Sequence, residues 1–135
     1  PWLASASAVL EMYLSGQAGG AAMADLIFGA ATPCGKLAET FPLAAEDSAS
    51  HPFFMSHPSQ LIYREGLNVG YRYFQTHDKP VLFPFGHGLS YTEFRYGNLS
   101  LSAESIGQQE GMELSFQLTN MGAVDGAEVV QVYVR

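Results

Sequence analysis

Glu65 is the carboxylate whose setting in this sequence most suggests chemistry. It stands between Arg64 and Gly66 in a stretch, 63–74, that is dense in aromatic residues and glycine. A carboxyl group in apolar surroundings can hold its proton near neutral pH and act as a general acid. The same neighbours allow an ion pair with Arg64 or Arg72 that holds the loop, since structural ion pairs also perturb carboxylates. We favour the ion pair.

His87 is the second candidate, and it lies in a loop that contains Pro84, Gly86 and Gly88. Histidine titrates near neutral pH, so it could bond a substrate hydroxyl or tune a neighbouring group. The simpler interpretation, which we favour, is a loop histidine that bonds the backbone. Two glycines and a proline within five residues predict a folded loop rather than a helix or strand there.

Other kinds of site find little support in the sequence. The run Gly16-Gln17-Ala18-Gly19-Gly20 before a predicted helix lacks the spacing and the lysine of a phosphate-binding loop, which argues against nucleotide binding. Cys34, the single cysteine, cannot form an internal disulfide or build a zinc site alone. His51, His57 and His77 are too scattered to propose a metal site. We therefore expect no cofactor and no metal.

Charge and composition exclude several classes of partner. Thirteen acids against six bases give a net charge of −7 over 135 residues, so nucleic-acid binding and docking on anionic membranes are both disfavoured. No apolar run approaches the roughly 20 residues of a membrane helix. With 47% hydrophobic and only 14% charged residues, the chain must bury much of itself. Its ends, at Pro1 and within a strand-like run, lead us to expect a piece of a longer protein.

The first 42 residues follow an α/β pattern. The apolar run 8–14 predicts a buried strand, and residues 21–28 predict a helix that ends at Gly29. Residues 32–35 predict a turn, and 36–41 predict a strand that ends at a proline. Strand, glycine loop, helix, turn and strand are typical of the last unit of an α/β sheet.

The rest of the chain changes from loop to β pattern. Residues 43–62 predict a surface loop with X-Pro steps at Pro52 and Pro58, and a third at Pro42 just before it. Short strands are predicted at 99–101, at 112–119 and at 127–134, separated by Asn and Asp-Gly turn signals. In the second strand, Met, Leu, Phe and Leu alternate with polar residues, as in a half-buried strand. This order is typical of the opening of an immunoglobulin or fibronectin type β-sandwich.

Four blocks of sequence, taken together, resemble the C-terminal half of glycoside hydrolase family 3, the β-glucosidase family. They are Gly16–Gly20 with 24–29, Pro33–Leu37 with Thr40–Pro42, Tyr63–Phe74, and Phe83–Thr92 with 119–122 and 126–133. Any one block is weak, but four in register over almost the whole chain are a strong match.

The resemblance implies an α/β fold followed by an all-β fold. Residues 1–42 would be the C-terminal end of an α/β sandwich domain. Residues 43–97 would be a connecting segment and a seam between domains. Residues 98–135 would be an incomplete fibronectin type III-like domain, with its first strands only. We expect a chain cut in this way to be unstable or to aggregate when isolated.

The resemblance also implies the chemistry of a retaining exo-glycosidase that hydrolyses terminal β-D-glucosyl residues. Such enzymes need two carboxylates about 5–5.5 Å apart. In this family the nucleophile is an aspartate of a barrel domain and the acid/base is usually a glutamate of the sandwich. Both precede the matched segment, so we expect no catalytic residue here and no activity from this chain alone.

Four side chains remain substrate-proximal candidates: Glu65, His87, Tyr63 and Tyr91. Their expected partner is a β-glucoside or oligosaccharide, since tyrosine rings can stack on sugar faces. The favoured alternative for the tyrosines is that they fill the domain seam. A second function, a non-catalytic carbohydrate-binding or interaction module, stays open. Family members are secreted, periplasmic or cytoplasmic, so the resemblance leaves the compartment and the oligomeric state open.

Overall fold

The computed structural model describes residues 3–54, 59–60 and 63–134. Its regular elements are two α-helices, two 3₁₀ turns and four strands. The helices are α1 (Gly19–Ile27) and α2 (Tyr71–Thr76), and the 3₁₀ turns are Leu3–Ser5 and Ala45–Asp47. The strands are β1 (Phe41–Pro42), β2 (Val81–Phe83), β3 (Phe94–Leu101) and β4 (Leu114–Asn120). Within these residues no helix is long and apolar enough to cross a membrane.

Helix α1 confirms the predicted helix and begins two residues earlier, at Gly19. Gly19 is buried, and a side chain there would overlap the Ser15 hydroxyl, so the close approach requires glycine. The helix ends where Gly29 takes a φ of +74°, a left-handed conformation that glycine adopts without a steric penalty. The stop signal at Gly29 was therefore correctly identified.

The prediction of a strand at residues 8–14 was wrong. These residues have no regular secondary structure, and their apolar side chains face outward: Val9 is 50% exposed and Leu14 is 100% exposed. A strand is defined by hydrogen bonds to a neighbouring strand, and no other described segment pairs with this one. The apolar pattern is present, but its partner is not.

The predictions of a turn at 32–35 and of a strand at 36–41 were also largely wrong. Only Phe41–Pro42 is a strand, β1, and it pairs antiparallel with β2 so that Phe41 lies opposite Phe83. The amide of Leu37 does not close a local turn but donates to the carbonyl of His87, at 2.8 Å. The backbone around Leu37 thus forms long-range hydrogen bonds instead of the local turn and strand that the sequence predicted.

The β3–β4 pair confirms the predicted strand at β4 but only the first half of its alternation. In β4, Leu114 and Phe116 are half-buried and Ser115 and Gln117 are exposed, as the period of two requires. The alternation then breaks, because Leu118 is exposed and Thr119 is half-buried, the reverse of the prediction. β4 begins at Leu114 rather than at 112. β3 is longer than expected, running from Phe94 to Leu101, with a register shift between residues 97 and 100.

The predicted third strand, 127–134, was wrong. In the structure this segment has no regular secondary structure, and its side chains instead contact Lys36, Tyr71 and Gly86. The Asn turn before it was correct: the Asn120 carboxamide oxygen accepts the Gly122 amide at 3.0 Å, and its amide group donates to the Val124 carbonyl at 2.9 Å. The described part of the chain has two small antiparallel sheets and few helices.

The described residues bury little. Phe74 of α2, at 9% exposed, is their buried apolar residue, and Thr92, at 8%, is their buried polar one. The Thr92 hydroxyl contacts the Asn120 carboxamide oxygen at 2.5 Å and so joins the start of β3 to the end of β4. The loop predicted at 43–62 is irregular, with one 3₁₀ turn, wherever the structure describes it.

Candidate functional site

The loop of residues 84–90, which we call the clamped loop, is held by the segment that precedes β1. The amide of Leu37 donates to the His87 carbonyl, and the amide of Gly86 donates back to the Leu37 carbonyl, both at 2.8 Å. The Phe85 amide donates to the Thr40 hydroxyl at 3.3 Å. These contacts fix the loop backbone although it has no regular secondary structure.

Lys36 fastens the same loop through its charge. Its ammonium donates to the Gly88 carbonyl at 2.7 Å and lies 3.2 Å from the Glu128 carboxylate. The two side chains are only 14% and 11% exposed, so solvent screens their attraction less than at an open surface. Through the ion pair and the hydrogen bond together, Lys36 links three distant parts of the chain.

The segment 131–133 holds the other side of the clamped loop. The Gln131 side-chain carboxamide nitrogen donates to the Gly86 carbonyl at 3.1 Å, and the Tyr133 hydroxyl donates to the Gln131 side-chain oxygen at 2.6 Å. Gly86 has a φ of +79°, and a side chain there would overlap the Gln131 amide. Glycine is therefore required at this position for both backbone and space.

A cleft of about 190 Å³ opens beside the clamped loop. We call it the aromatic cleft, because four of its lining residues are aromatic: Tyr71, Phe74, Phe85 and Tyr133. The Tyr71 ring lies 5.0 Å from Phe85 and 5.5 Å from Tyr133, centroid to centroid. The Tyr71 and Tyr133 rings meet edge to face at 80°, a favourable aromatic geometry.

The polar lining of the aromatic cleft comes from four residues: Thr40, Gln75, Asp78 and Lys79. Asp78 has a φ of +48°, a conformation that aspartate adopts more readily than most residues. The Lys79 amide donates to the Phe74 carbonyl at 2.9 Å, and its ammonium lies 4.9 Å from the centre of the Tyr73 ring. A backbone hydrogen bond and a cation–π contact thus hold Lys79 just after the end of α2.

The candidate His87 lies in the clamped loop and is half-buried. Its ring stacks on Phe83 at 5.1 Å with an interplanar angle of 21°. Its amide donates to the Pro84 carbonyl at 3.0 Å, and its carbonyl accepts the Leu37 amide. The backbone of His87 therefore holds the loop, while the imidazole packs on an aromatic face.

The candidate Glu65 does not form the ion pair that the sequence favoured. The Arg64 guanidinium lies over the Phe53 ring instead, 4.9 Å from its centre. Among the described residues the ion pair is that of Lys36 and Glu128, and neither Arg64 nor Arg72 takes part. The Glu65 carbonyl accepts the Asn68 amide at 2.9 Å, so the backbone turns here without help from the carboxylate.

Of the two tyrosine candidates, one is open and one has a structural contact. Tyr63 is 80% exposed. The Tyr91 hydroxyl donates to the Leu26 carbonyl at 2.7 Å, which caps the last turn of α1. No described hydrogen bond, ion pair or ring contact joins any two of Tyr63, Glu65, His87 and Tyr91, so the structure does not gather the four candidates into one cluster.

The remaining titratable candidates are placed apart. Cys34 is exposed and free. The His77 ring lies 4.8 Å from Tyr73, and His57 lies outside the described residues. Within residues 3–54, 59–60 and 63–134 no group of three or more histidine, cysteine or acidic side chains could hold a metal ion.

The aromatic cleft is a feature that sequence reasoning missed as a site. The density of aromatic residues in 63–74 was visible, and so was Phe85 in its loop. Tyr133, however, stands 62 positions after Tyr71 in the chain, and it was assigned to a strand. Only the contacts of Tyr133 with Tyr71 and of Thr40 with Phe85 reveal that these residues share one cleft.

Known proteins are similar to this chain along its length. The chain is 44% identical over 135 residues to thermostable beta-glucosidase B of Acetivibrio thermocellus. This match covers 100% of this chain and 18% of that protein. It is 41% identical over 134 residues to an exo-alpha-(1->6)-L-arabinopyranosidase of Bifidobacterium breve, covering 99% of this chain and 17% of that protein. The chain thus spans less than a fifth of the length of these relatives.

A solved structure is similar in fold as well. DesR, a beta-glucosidase from Streptomyces venezuelae in complex with D-glucose, superposes with a TM-score of 0.77 and 38% identity, covering 90% of this chain and 16% of that chain. The family model described as the glycosyl hydrolase family 3 C-terminal domain matches residues 1–91, more than half of the sequence. The chain therefore belongs to glycosyl hydrolase family 3.

Proposed function

We propose that this chain is the C-terminal part of a retaining exo-β-glucosidase, which releases terminal β-D-glucosyl residues. The observation that carries the proposal is the 44% identity over all 135 residues to a protein named as a beta-glucosidase. The D-glucose in the complex of DesR supports the same sugar. The named specificity of the Bifidobacterium breve relative makes an arabinopyranoside the competing substrate.

We propose that the two carboxylates of this reaction lie outside these 135 residues. A retaining glycosidase attacks the anomeric carbon with one carboxylate, while the other protonates the leaving oxygen and later activates water. Family resemblance assigns the first to a barrel aspartate and the second to a glutamate of the α/β sandwich. On this proposal the chain alone has no activity, and its role is to complete the scaffold around the site.

The proposed domain division follows the same resemblance. Residues 1–42 end the α/β sandwich, 43–97 connect, and 98–135 begin a fibronectin type III-like domain. The apolar side chains left exposed at 8–14 support the first assignment, because a buried strand needs a neighbouring strand to cover it. Contacts of Lys36, Gln131 and Tyr133 with the middle segment support its role as a seam.

The four substrate-proximal candidates remain part of the proposal, and their contacts rank them. Tyr63 is 80% exposed, and the Glu65 carboxylate has no described partner, so both side chains are available to a substrate. His87 stacks on Phe83, and the Tyr91 hydroxyl is bonded to the Leu26 carbonyl. We propose that substrate contact, where this chain makes it, comes first from Tyr63 and Glu65.

The test compares the longer protein that contains this chain with the purified 135-residue chain, using p-nitrophenyl β-D-glucoside. We expect the longer protein to release p-nitrophenol and the chain alone to show no turnover above buffer. Parallel assays with p-nitrophenyl α-L-arabinopyranoside test the sugar. A longer protein that cleaves only the arabinopyranoside would overturn the assignment to glucose.

A matched pair of variants tests where the catalysts lie. Glu65→Gln removes the candidate carboxylate, and Glu104→Gln removes an exposed one for comparison. We expect neither change to abolish turnover by the longer protein. Turnover by the 135-residue chain that is lost in Glu65→Gln and kept in Glu104→Gln would show that the catalytic carboxylate is here.

A further inference from the structure

We propose that the aromatic cleft binds the ring of a single neutral hexopyranose, such as D-glucose. The cleft lies between α2 and residues 81–85, with Tyr133 closing one side. The proposal goes beyond the proposed function, since it requires no hydrolysis and uses none of the four substrate-proximal candidates. It gives a specific location to the carbohydrate-binding alternative that the sequence left open.

The aromatic wall suits a sugar ring because pyranoses present flat faces of C–H groups. Aromatic rings offer flat apolar area against which such faces pack. Tyr133 is 48% exposed, so part of its ring is open to a ligand while its edge-to-face contact with Tyr71 and its hydroxyl bond to Gln131 keep it in place. A fixed aromatic side chain binds at a lower entropic cost than a mobile one.

The polar lining indicates that the ligand is neutral and can both donate and accept hydrogen bonds. Asp78 only accepts, Lys79 only donates, and the Gln75 carboxamide does both. The two charges cancel, so a phosphate or carboxylate ligand would meet Asp78 and a cationic ligand would meet Lys79. A polyhydroxylated ring satisfies all three side chains without carrying charge into the cleft.

The size of the cleft limits the ligand to one ring. Its volume of about 190 Å³ is smaller than that of the pockets that hold drug-sized ligands, which occupy roughly 300–1,000 Å³. The backbone that carries its charged rim is held in place, because the Lys79 backbone amide donates to the Phe74 carbonyl and the Asp78 backbone amide donates to the Gln75 carbonyl. We therefore expect monosaccharide binding, with no gain in affinity from a second sugar unit.

The test titrates the 135-residue chain with D-glucose, in a preparation that size-exclusion chromatography shows to be monomeric, and follows the aromatic resonances of the tyrosines by NMR. If the chain alone aggregates, D-glucose binding is measured by calorimetry on the longer protein with its active site blocked by a covalent inhibitor. We expect shifts at Tyr71 and Tyr133 and none at Tyr96 of β3. Sorbitol is the control ligand, because it carries similar hydroxyl groups without a ring face, and we expect it to cause no shift. No shift with D-glucose, equal shifts with both ligands, or shifts confined to tyrosines outside the cleft would each overturn the proposal.

A matched pair of variants tests the same point. Tyr133→Ala and Tyr96→Ala remove tyrosines of nearly equal exposure, 48% and 50%. We expect Tyr133→Ala to raise the Kd for D-glucose about tenfold and Tyr96→Ala to leave it unchanged. If Tyr133→Ala does not fold, Asp78→Ala replaces it with the same expected direction. Unchanged affinity in the folded cleft variant refutes the assignment, whether or not the longer protein hydrolyses glucosides.

Discussion

The clamped loop and the β3–β4 sheet are held together in opposite ways. The loop, 84–90, has no regular structure, yet its hydrogen bonds reach residues 45 to 52 positions away, at Lys36, Thr40 and Gln131. The sheet is regular, but seven of the eight residues of β3 are exposed. A segment without regular secondary structure therefore holds distant parts of this chain together, whereas the regular sheet buries few side chains. We expect substitutions in the irregular loop to cost more than equivalent substitutions in the sheet.

Replacement of Gly88 by alanine is the change expected to have the largest effect. A methyl group there would overlap the Gly35 carbonyl oxygen and lie 2.9 Å from the Lys36 side chain, so backbone must move. We expect Gly88→Ala to lower the free energy of unfolding by about 3 kcal/mol. Gly97→Ala in β3 is the control, because nothing lies within 4 Å of the added methyl. If urea denaturation gave both variants the same loss in the free energy of unfolding, the loop would not be more sensitive than the sheet, contrary to the prediction.

Replacement of Lys36 by methionine is expected to cause the second-largest loss of stability. The change keeps the packing of the side chain but leaves the Glu128 carboxylate and the Gly88 carbonyl without their partner. We expect a loss of about 2 kcal/mol in the free energy of unfolding. Arg95→Met in the exposed β3 should change stability by no more than about 0.5 kcal/mol. A loss in Arg95→Met as large as in Lys36→Met would mean that the sheet depends on charge as much as the loop does.

Replacement of Ser90 by alanine should act in the opposite direction. The Ser90 hydroxyl is buried without a hydrogen-bond partner, which is costly. We expect Ser90→Ala to raise the free energy of unfolding by about 1 kcal/mol, because the unpaired hydroxyl is removed. Ser100→Ala in β3 breaks the exposed hydroxyl contact of 2.8 Å with Ser115 and should lower stability slightly. Thermal unfolding that destabilised both variants alike would show that the Ser90 hydroxyl has a stabilising partner.

Replacement of Tyr96 by phenylalanine is expected to have the smallest effect on stability, and only at alkaline pH. Partial burial and the nearby Glu128 carboxylate raise the pKa of the Tyr96 phenol above its ordinary value of 10.0. Above that pH the phenol ionises in the unfolded chain while it stays neutral in the folded one, so stability falls as pH rises. We expect Tyr96→Phe to lose less stability between pH 9 and 11 than the parent chain, measured by urea unfolding. Identical slopes would show that Tyr96 does not contribute.

The sequence predicted those elements that depend on neighbouring residues. Helix α1 ends before Gly29, and β4 forms with alternating burial over residues 114–117, because local sterics and a period of two are properties of short segments. The Asn120 turn was correct for the same reason. Residues 8–14 and 127–134 have equally good strand patterns, but neither has a partner strand within the described residues. A strand needs two segments, and the pattern of one cannot supply the other.

The candidate site was predicted less well because side-chain contacts are not local. Arg64 lies next to Glu65 in sequence, yet its guanidinium lies over Phe53. Tyr91 was considered for its ring, but its hydroxyl bonds the end of α1, 65 positions away. A hydrogen bond across that distance depends on how the intervening chain folds.

Family membership and the position of α1 were readable from the sequence, since each depends on short motifs. The clamped loop and the aromatic cleft were decided by the tertiary structure. Both form where residues near 36–40, 71–88 and 128–133 meet, and no spacing along the chain encodes such a meeting. The physical reason is that hydrogen bonds and ring contacts act over a few ångströms, whereas the residues that make them lie tens of positions apart.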